Sequence, residues 1–161
     1  MNFVHVASSD IPRFLALRRQ GFLSDPNGFR YAAADDEAIG EYDWIDRLRR
    51  DHVIAVERSG EYLGIGGFSR LAGTKLNHKG LIWGMYVTPA SRGSGVADRI
   101  MAALVEHARS RVRQLQLTVM ADNGRARAFY ERHGFKVYAI EPASVRRGGG
   151  FADEALMWRI I

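Results

Sequence analysis

Cysteine is absent from all 161 residues, which removes a disulfide framework, a thiolate zinc site, an iron-sulfur centre and a cysteine nucleophile together. Any group transfer must therefore avoid a protein thioester. No window reaches the ~18 apolar residues of a membrane span. The amino end, Met1 to Val6, shows no basic run followed by a long apolar stretch. The expected location is the cytoplasm, with no membrane partner. The histidines at 5, 52, 78, 107 and 133 fall at no paired ligand spacing, so no metal site is expected. There is also no internal repeat, heptad run or low-complexity tract.

What is present is a globular composition, 47% hydrophobic, 25% charged and 11% aromatic, in a length that suits one domain over residues 1–161 with a full core. Lys plus Arg at 23 against Asp plus Glu at 18 gives a formal charge of +5. That sign favours an anionic partner such as nucleic acid, a phosphate-bearing cofactor or an acidic surface.

Periodicity and punctuation predict the elements. Phe3 to Val6 reads as a strand, and Ser9, Asp10 and Pro12 open a helix over about 11–23, broken by Asp25-Pro26-Asn27-Gly28. Asp35-Asp36-Glu37 opens a second helical stretch that ends in Arg47, Arg49 and Arg50, a charge order suited to the helix dipole. Val53 to Glu57 and Tyr62 to Ser69 form a hairpin, with Gly64, Gly66 and Gly67 as strand glycines that admit a bulge or close packing. A strand over 81–87 leads into a helix over about 95–110, on whose apolar stripe His107 reads as a packed residue. Leu115, Leu117 and Val119 alternate in a half-buried strand. Asp122 and Asn123 then cap a helix closed by Gly134 at C′. Two closing strands, Phe135 to Ile140 and Glu154 to Ile161, flank a Gly148-Gly149-Gly150 turn. The predicted class is α/β, a mixed sheet of about six to seven strands covered on both faces by about four helices.

Chemistry concentrates where Val87-Thr88-Pro89-Ala90-Ser91-Arg92-Gly93-Ser94-Gly95-Val96-Ala97 runs from strand into helix. Glycines at 93 and 95 and a small residue at 97 let successive backbone N–H groups curl around an anion at a helix N-terminus, and Arg92 adds a cation. No Gly-Lys-Ser/Thr follows, and no acid stands at the Rossmann distance, so neither a P-loop nor a dinucleotide fingerprint is present.

These residues resemble the GNAT superfamily of acetyl-CoA-dependent N-acetyltransferases. Its Q/R-x-x-G-x-G/A signature is matched by Arg92, Gly95 and Ala97. Its second block is matched by Asn123, Ala126, Phe129, Tyr130, Gly134 and Phe135, about 30 residues later. The firm likeness covers roughly residues 81 to 138, with fainter likeness in LRRQGFLSDPNGF and DEALMWRI.

The resemblance implies a sheet with two parallel central strands, here 81–88 and 115–120, splayed around acetyl-CoA. Backbone at Met85, Tyr86 and Val87 would pair with the pantetheine arm. Arg92, Gly93, Ser94, Gly95, Val96 and Ala97 would hold the pyrophosphate, while Asn123, Ala126, Phe129 and Tyr130 would complete the cofactor site. Asn123 has an ordinary helix-capping role as its alternative. Tyr130 is implied as the acid that protonates the departing thiolate, since a phenol of pKa ~10 stays protonated at neutral pH.

The implied activity is direct acetyl transfer to a primary amine of a small molecule or peptide, without a metal, with the oxyanion held by a strand N–H near Met85 or Tyr86. The base is open, because neither LIWGMYV nor LQLTVM carries a carboxylate. An ordered water, His78 or an acid from 35–43 are the alternatives. The first two helices and the 71–80 and 141–152 loops are expected to line the acceptor pocket. A non-catalytic acetyl-CoA-binding domain is a second reading. A small basic nucleic-acid binder, suggested by Arg109, Arg111 and Arg113, is a third and weaker one, and no nucleic-acid partner is expected. A homodimer stays open.

Overall fold

In the computed structural model, which describes residues 1–161, the apolar runs form β1 (Asn2–His5), β2 (His52–Arg58), β3 (Glu61–Arg70), β4 (Lys79–Val87), β5 (Gln114–Met120), β6 (Lys136–Arg147) and β7 (Gly150–Ile160). The helical runs are α1 (Ile11–Ser24), α2 (Ala33–Glu37), α3 (Glu41–Arg50), α4 (Val96–Arg109) and α5 (Gly124–Arg132). The strands make one seven-stranded sheet in the order β1-β2-β3-β4-β5-β7-β6. No helix is long and apolar enough to cross a membrane.

The sheet separates two cores, because its strands bury side chains on both faces. One face packs Ile54, Val56, Leu115 and Met157 against Ile100, Met101 and Leu104 of α4 and against Phe135. The other packs Val53, Ala55 and Ile65 against Phe14 and Leu17 of α1 and Trp44 and Leu48 of α3. The strand glycines serve close packing. A Cβ on Gly66 would stand 2.5 Å from Met85 Sδ and 2.7 Å from Ile100, and one on Gly67 2.5 Å from Trp83.

The feature that makes the site lies between β4 and β5. These strands are parallel, and they pair only from Lys79↔Gln114 to Leu81↔Gln116. Beyond Leu81 they part, which leaves the β5-facing edge of β4 without a strand partner. On its other edge β4 pairs Trp83 with Gly67 and Tyr86 with Ile65, so Gly84 and Met85 together oppose Gly66. This is a β-bulge, and Gly84 accommodates it with φ of +64°.

Several sequence expectations change. The second helical stretch divides into α2 and α3, because Gly40 takes an extended φ/ψ of −67°/156° as the N-cap of α3. The bulge among the β3 glycines belongs to β4. The 141–152 loop is strand for most of its length, since β6 and β7 continue to Arg147↔Gly150, with the register shift between Glu141 and Val145 absorbing the irregularity. Only Gly148 and Gly149, both at positive φ, turn the chain.

Candidate active site

The splay opens into a cavity of about 850 Å³ bounded by β4, β5, the β4–α4 loop, α5, and the α1–α2 region. Met85, Tyr86, Val87, Arg92, Gly93, Gly95, Val96, Ala97, Asn123, Ala126, Phe129 and Tyr130 all line it. Ser94 does not. Its hydroxyl donates to the Ser91 carbonyl at 2.5 Å and its N–H to the same oxygen at 3.3 Å, so it braces the loop from within.

The loop suits an anion for a stereochemical reason. Gly93 and Gly95 sit at φ of +77° and +80°, and a Cβ at either would meet nothing within 4 Å, so backbone conformation selects glycine there. The amides of Gly93 and Gly95 donate to no backbone carbonyl. Val96 and Ala97, in the first turn of α4, have no earlier helical carbonyl to reach. Arg92, in the loop, and Arg132, which reaches Asp98 of α4, also line the cavity. Asp98 also lines it, but it is occupied by His133 at 2.9 Å and Arg132 at 3.3 Å. Those partners hold its carboxyl below the usual carboxylate range, the His133 hydrogen bond contributing most.

Asn123 does cap α5, accepting from the Ala126 N–H through Oδ1 at 3.1 Å, which leaves its Nδ2 donors for the cavity. Tyr130 packs edge-on to Phe129 at 5.2 Å and Phe135 at 6.1 Å. It keeps some surface toward the cavity, yet its surroundings are protein, and this desolvation pushes the phenol up to about 12. Tyr86 turns its ring to the other face, where it lies against Gly21 and its hydroxyl pairs with Ser24 at 3.0 Å.

At the opposite end the structure gives Asp36, one of the 35–43 acids, its partner, and adds Glu154 and Arg47, which the sequence did not single out for the site. Asp36, 9% exposed, is gripped by Arg18 through Nε at 2.9 Å and Nη2 at 2.5 Å. Glu154, 2% exposed, sits opposite Met120 of β5, and its Oε2 accepts from Arg30 at 2.8 Å and Ser144 at 2.6 Å. The available signal was an acid at a period-two position of β7 between buried Ala152 and half-buried Leu156. Arg47 of α3 lies 3.8 Å over the Trp83 ring. Phe22, Phe29, Tyr31 and Ile39 add apolar surface.

The first helices thus line the acceptor end as expected, but the 71–80 and 141–152 segments do not. His78 is also away from the cavity. Its carbonyl accepts from Arg113 and Gln114 where β4 and β5 are still paired. Of the proposed 35–43 acids, Asp35 and Asp36 do reach the cavity. No group of three or more His, Asp or Glu side chains is arranged to hold a metal ion. His5, His52 and His107 do meet, although they are distant in sequence. The rings of His52 and His107 stack flat at 3.6 Å, a packing arrangement and not a convergence on one point. Arg109 pairs with Glu106, and Arg111 donates to the His107 carbonyl at 2.6 Å, so both are used at the end of α4.

The model of the acetyltransferase (GNAT) family matches residues 14–135 of this chain. No curated protein matches the sequence. Among solved structures, the chain is similar to a ribosomal-protein-alanine N-acetyltransferase from Brucella melitensis, at 20% identity and a TM-score of 0.85 with all of both chains covered. It is similar to a GNAT-family acetyltransferase from Streptococcus pneumoniae, at 19% identity and a TM-score of 0.87 over 99% of each chain. It is also similar to yncA from Salmonella typhimurium, solved with its cofactor acetyl-CoA, at 16% identity and a TM-score of 0.83 over 99% of this chain and 93% of that one. At these identities the structural likeness speaks for the fold.

Proposed function

Because the chain belongs to the acetyltransferase (GNAT) family and is an acetyl-CoA-dependent acetyltransferase, we propose that it passes the acetyl group directly to the primary amine of a small molecule or peptide. One observation carries this reading: a glycine-rich loop with free amides, an unpaired strand edge and a desolvated tyrosine border a single cavity whose far end is separately lined.

The residues present fit acetyl-CoA. The free amides of Gly93, Gly95, Val96 and Ala97 and the guanidinium of Arg92 suit a pyrophosphate. The open edge of β4 at Met85, Tyr86 and Val87 suits an amide-bearing arm added like a strand. Asn123, Ala126 and Phe129 close the α5 side. When bound, acetyl-CoA supplies an activated acetyl carbonyl on a thioester. A backbone N–H of β4 near Met85 or Tyr86, beside the bulge on the cavity wall, would stabilise negative charge developing on the carbonyl oxygen.

Tyr130 gives its proton to the leaving sulfur as the C–S bond breaks and the C–N bond forms. The amine must lose a proton, and Glu154 is the carboxylate suited to take it. Arg30 and Ser144 fix it through Oε2, and Oε1 has no hydrogen-bond partner. Asp36 is spent on Arg18. No protein-bound acetyl intermediate and no metal enter this scheme.

The test is direct. Acetyl-CoA added in excess of its Kd should raise the melting temperature, as any ligand specific to the folded state does. An amine panel should release CoA at rates unchanged by exhaustive chelation. Absence of both the shift and the release would refute the proposal, and a loss of activity restored by one metal would remove its metal-free part.

A further inference from the structure

Beyond Glu154 Oε1, assigned above to the reacting amine, the acceptor end holds guanidinium donors that have no acceptor. Each acidic side chain there has a partner: Asp36 has Arg18, Glu154 has Arg30 and Ser144, Asp35 accepts from the Ala32 N–H at 2.8 Å, and Asp25 lies 3.8 Å from Arg125. Arg30, 44% exposed, gives only Nη2 to Glu154, and two less exposed arginines are also incompletely used. Arg18 commits Nε and Nη2 to Asp36, leaving Nη1 without an acceptor, and a Cβ on Gly84 would lie 3.1 Å from that nitrogen. Its free donor therefore stands against the β4 bulge, next to the expected reacting carbonyl.

Arg47 makes one long contact, Nε to Asp51 Oδ2 at 3.4 Å, and that oxygen already receives Ser69 Oγ at 2.6 Å. Neither terminal nitrogen of Arg47 has a partner. Both guanidiniums lie over the same indoles, Arg18 at 5.0 Å from Trp44 and 6.0 Å from Trp83, Arg47 at 5.5 and 3.8 Å. Desolvation, with a further contribution from the like charge of Arg18, lowers the pKa of Arg47 from its ordinary value. A half-buried guanidinium with unfilled donors, on a cavity wall, is an incomplete anion receptor.

Resting on the acetyltransferase reading, we propose that the acceptor amine carries a carboxylate, received by Arg47 and by Nη1 of Arg18, and an apolar side chain that packs among Phe22, Phe29, Ile39 and Trp83. The substrate class is a free hydrophobic α-amino acid. Asp36 and Asp51 already offset much of the positive charge, which matches a monoanion better than a dianionic phosphate. Apart from Glu154 Oε1, assigned above to the reacting amine, a cationic polyamine finds no carboxylate without a partner to receive its distal ammonium.

The experiment uses the unmodified chain with saturating acetyl-CoA and matched acceptors: L-leucine, L-leucinamide and 3-methylbutylamine, then L-phenylalanine, its amide and phenethylamine, with spermidine and phosphoethanolamine alongside. The amino acids should show kcat/KM at least tenfold above their amides and decarboxylated amines. Arg47→Gln, checked as folded by its melting curve, should raise KM for the amino acid about tenfold, more than any change in KM for acetyl-CoA. It should also narrow the gap between acid and amide, and Arg47→Lys should recover part of it. Equal or better use of the amides, amines, spermidine or phosphoethanolamine overturns the inference, as does undiminished discrimination in folded Arg47→Gln. Acetylation confined to acceptors without a carboxylate defeats this inference alone. Failure to bind acetyl-CoA or to acetylate any amine defeats the acetyltransferase reading beneath it.

Discussion

Tyr130 is held by the aromatic rings of Phe129 and Phe135 in surroundings that desolvate its hydroxyl. With its pKa pushed up to about 12, it stays protonated throughout the neutral range and is a weak but fully populated proton donor. Tyr130→Phe removes the hydroxyl and keeps the packing. General acid catalysis is commonly worth ~10² to 10⁴ in rate, so the single-turnover rate at saturating substrates should fall at least about tenfold while acetyl-CoA affinity changes little. Glu154→Gln should lower the same rate without weakening acetyl-CoA binding. A saturating single-turnover rate that stays at the wild-type value in Tyr130→Phe rules out an obligatory proton-donor role. The spacing of Asn123, Ala126 and Tyr130 was legible in the sequence because a helix repeats on one face. The pairings of Arg18 with Asp36 and of Glu154 with Arg30 were not, since those partners lie on other elements, 18 and 124 residues away, and neither was the place of Arg47 over Trp83 of β4.

Among elements, the β4–α4 loop and the β3–β4 pair use glycine for different reasons, and substitution separates them. At Gly95, φ of +80° with no atom within 4 Å of a Cβ means that a side chain meets strain but no clash. Gly95→Glu should keep the fold at a cost of ~1–2 kcal/mol and place a bulky anion in the loop, so the melting curve survives while the acetyl-CoA shift disappears. At Gly66 a Cβ would overlap Met85 Sδ and Ile100 Cγ2. Gly66→Ala should therefore lower stability by ~1–3 kcal/mol in a urea titration, even though alanine suits strands better than glycine on backbone grounds. Normal acetyl-CoA binding by folded Gly95→Glu would discard the anion-loop assignment, and an unchanged urea midpoint in Gly66→Ala would discard the packing argument. The strand-to-helix glycines announce themselves because helix N-termini have a local signature. The division of α2 from α3 and the long β6–β7 hairpin do not, because Gly40 reads as a tolerable helix residue and the register shift after Glu141 depends on its partner strand.

At the scale of the whole molecule, the sheet brings His5 of β1, His52 of β2 and His107 of α4 together at the margin of one core. Burial, followed by the charges of His107, His5 and Arg111, pushes His52 down to about 4 from 6.5, and burial with Arg111 lowers His107 as well. The unfolded chain binds a proton at His52 near pH 6.5, but the folded chain refuses it until about pH 4. Between those values the unfolded state holds more protons. Stability is therefore fully present above pH 6.5 and declines as pH falls toward 4. The melting temperature should drop from pH 7 to pH 5, and His52→Phe, which keeps a stacking ring, should flatten that dependence; an identical slope in the variant would show that the stack contributes nothing. The sequence by itself determined most of the elements, the glycine-rich strand-to-helix loop and the spacing of Asn123, Ala126 and Tyr130 on the following helix, because periodicity, helix termini and short motifs are set by neighbours within a few residues. Tertiary structure alone decided the placement of β7 between β5 and β6, the parting of β4 from β5 after Leu81, the meeting of three histidines, and which arginines of the acceptor end keep unfilled donors. Strand order, splay and ion pairing all depend on residues far apart in the chain, whose separation carries no local pattern to read.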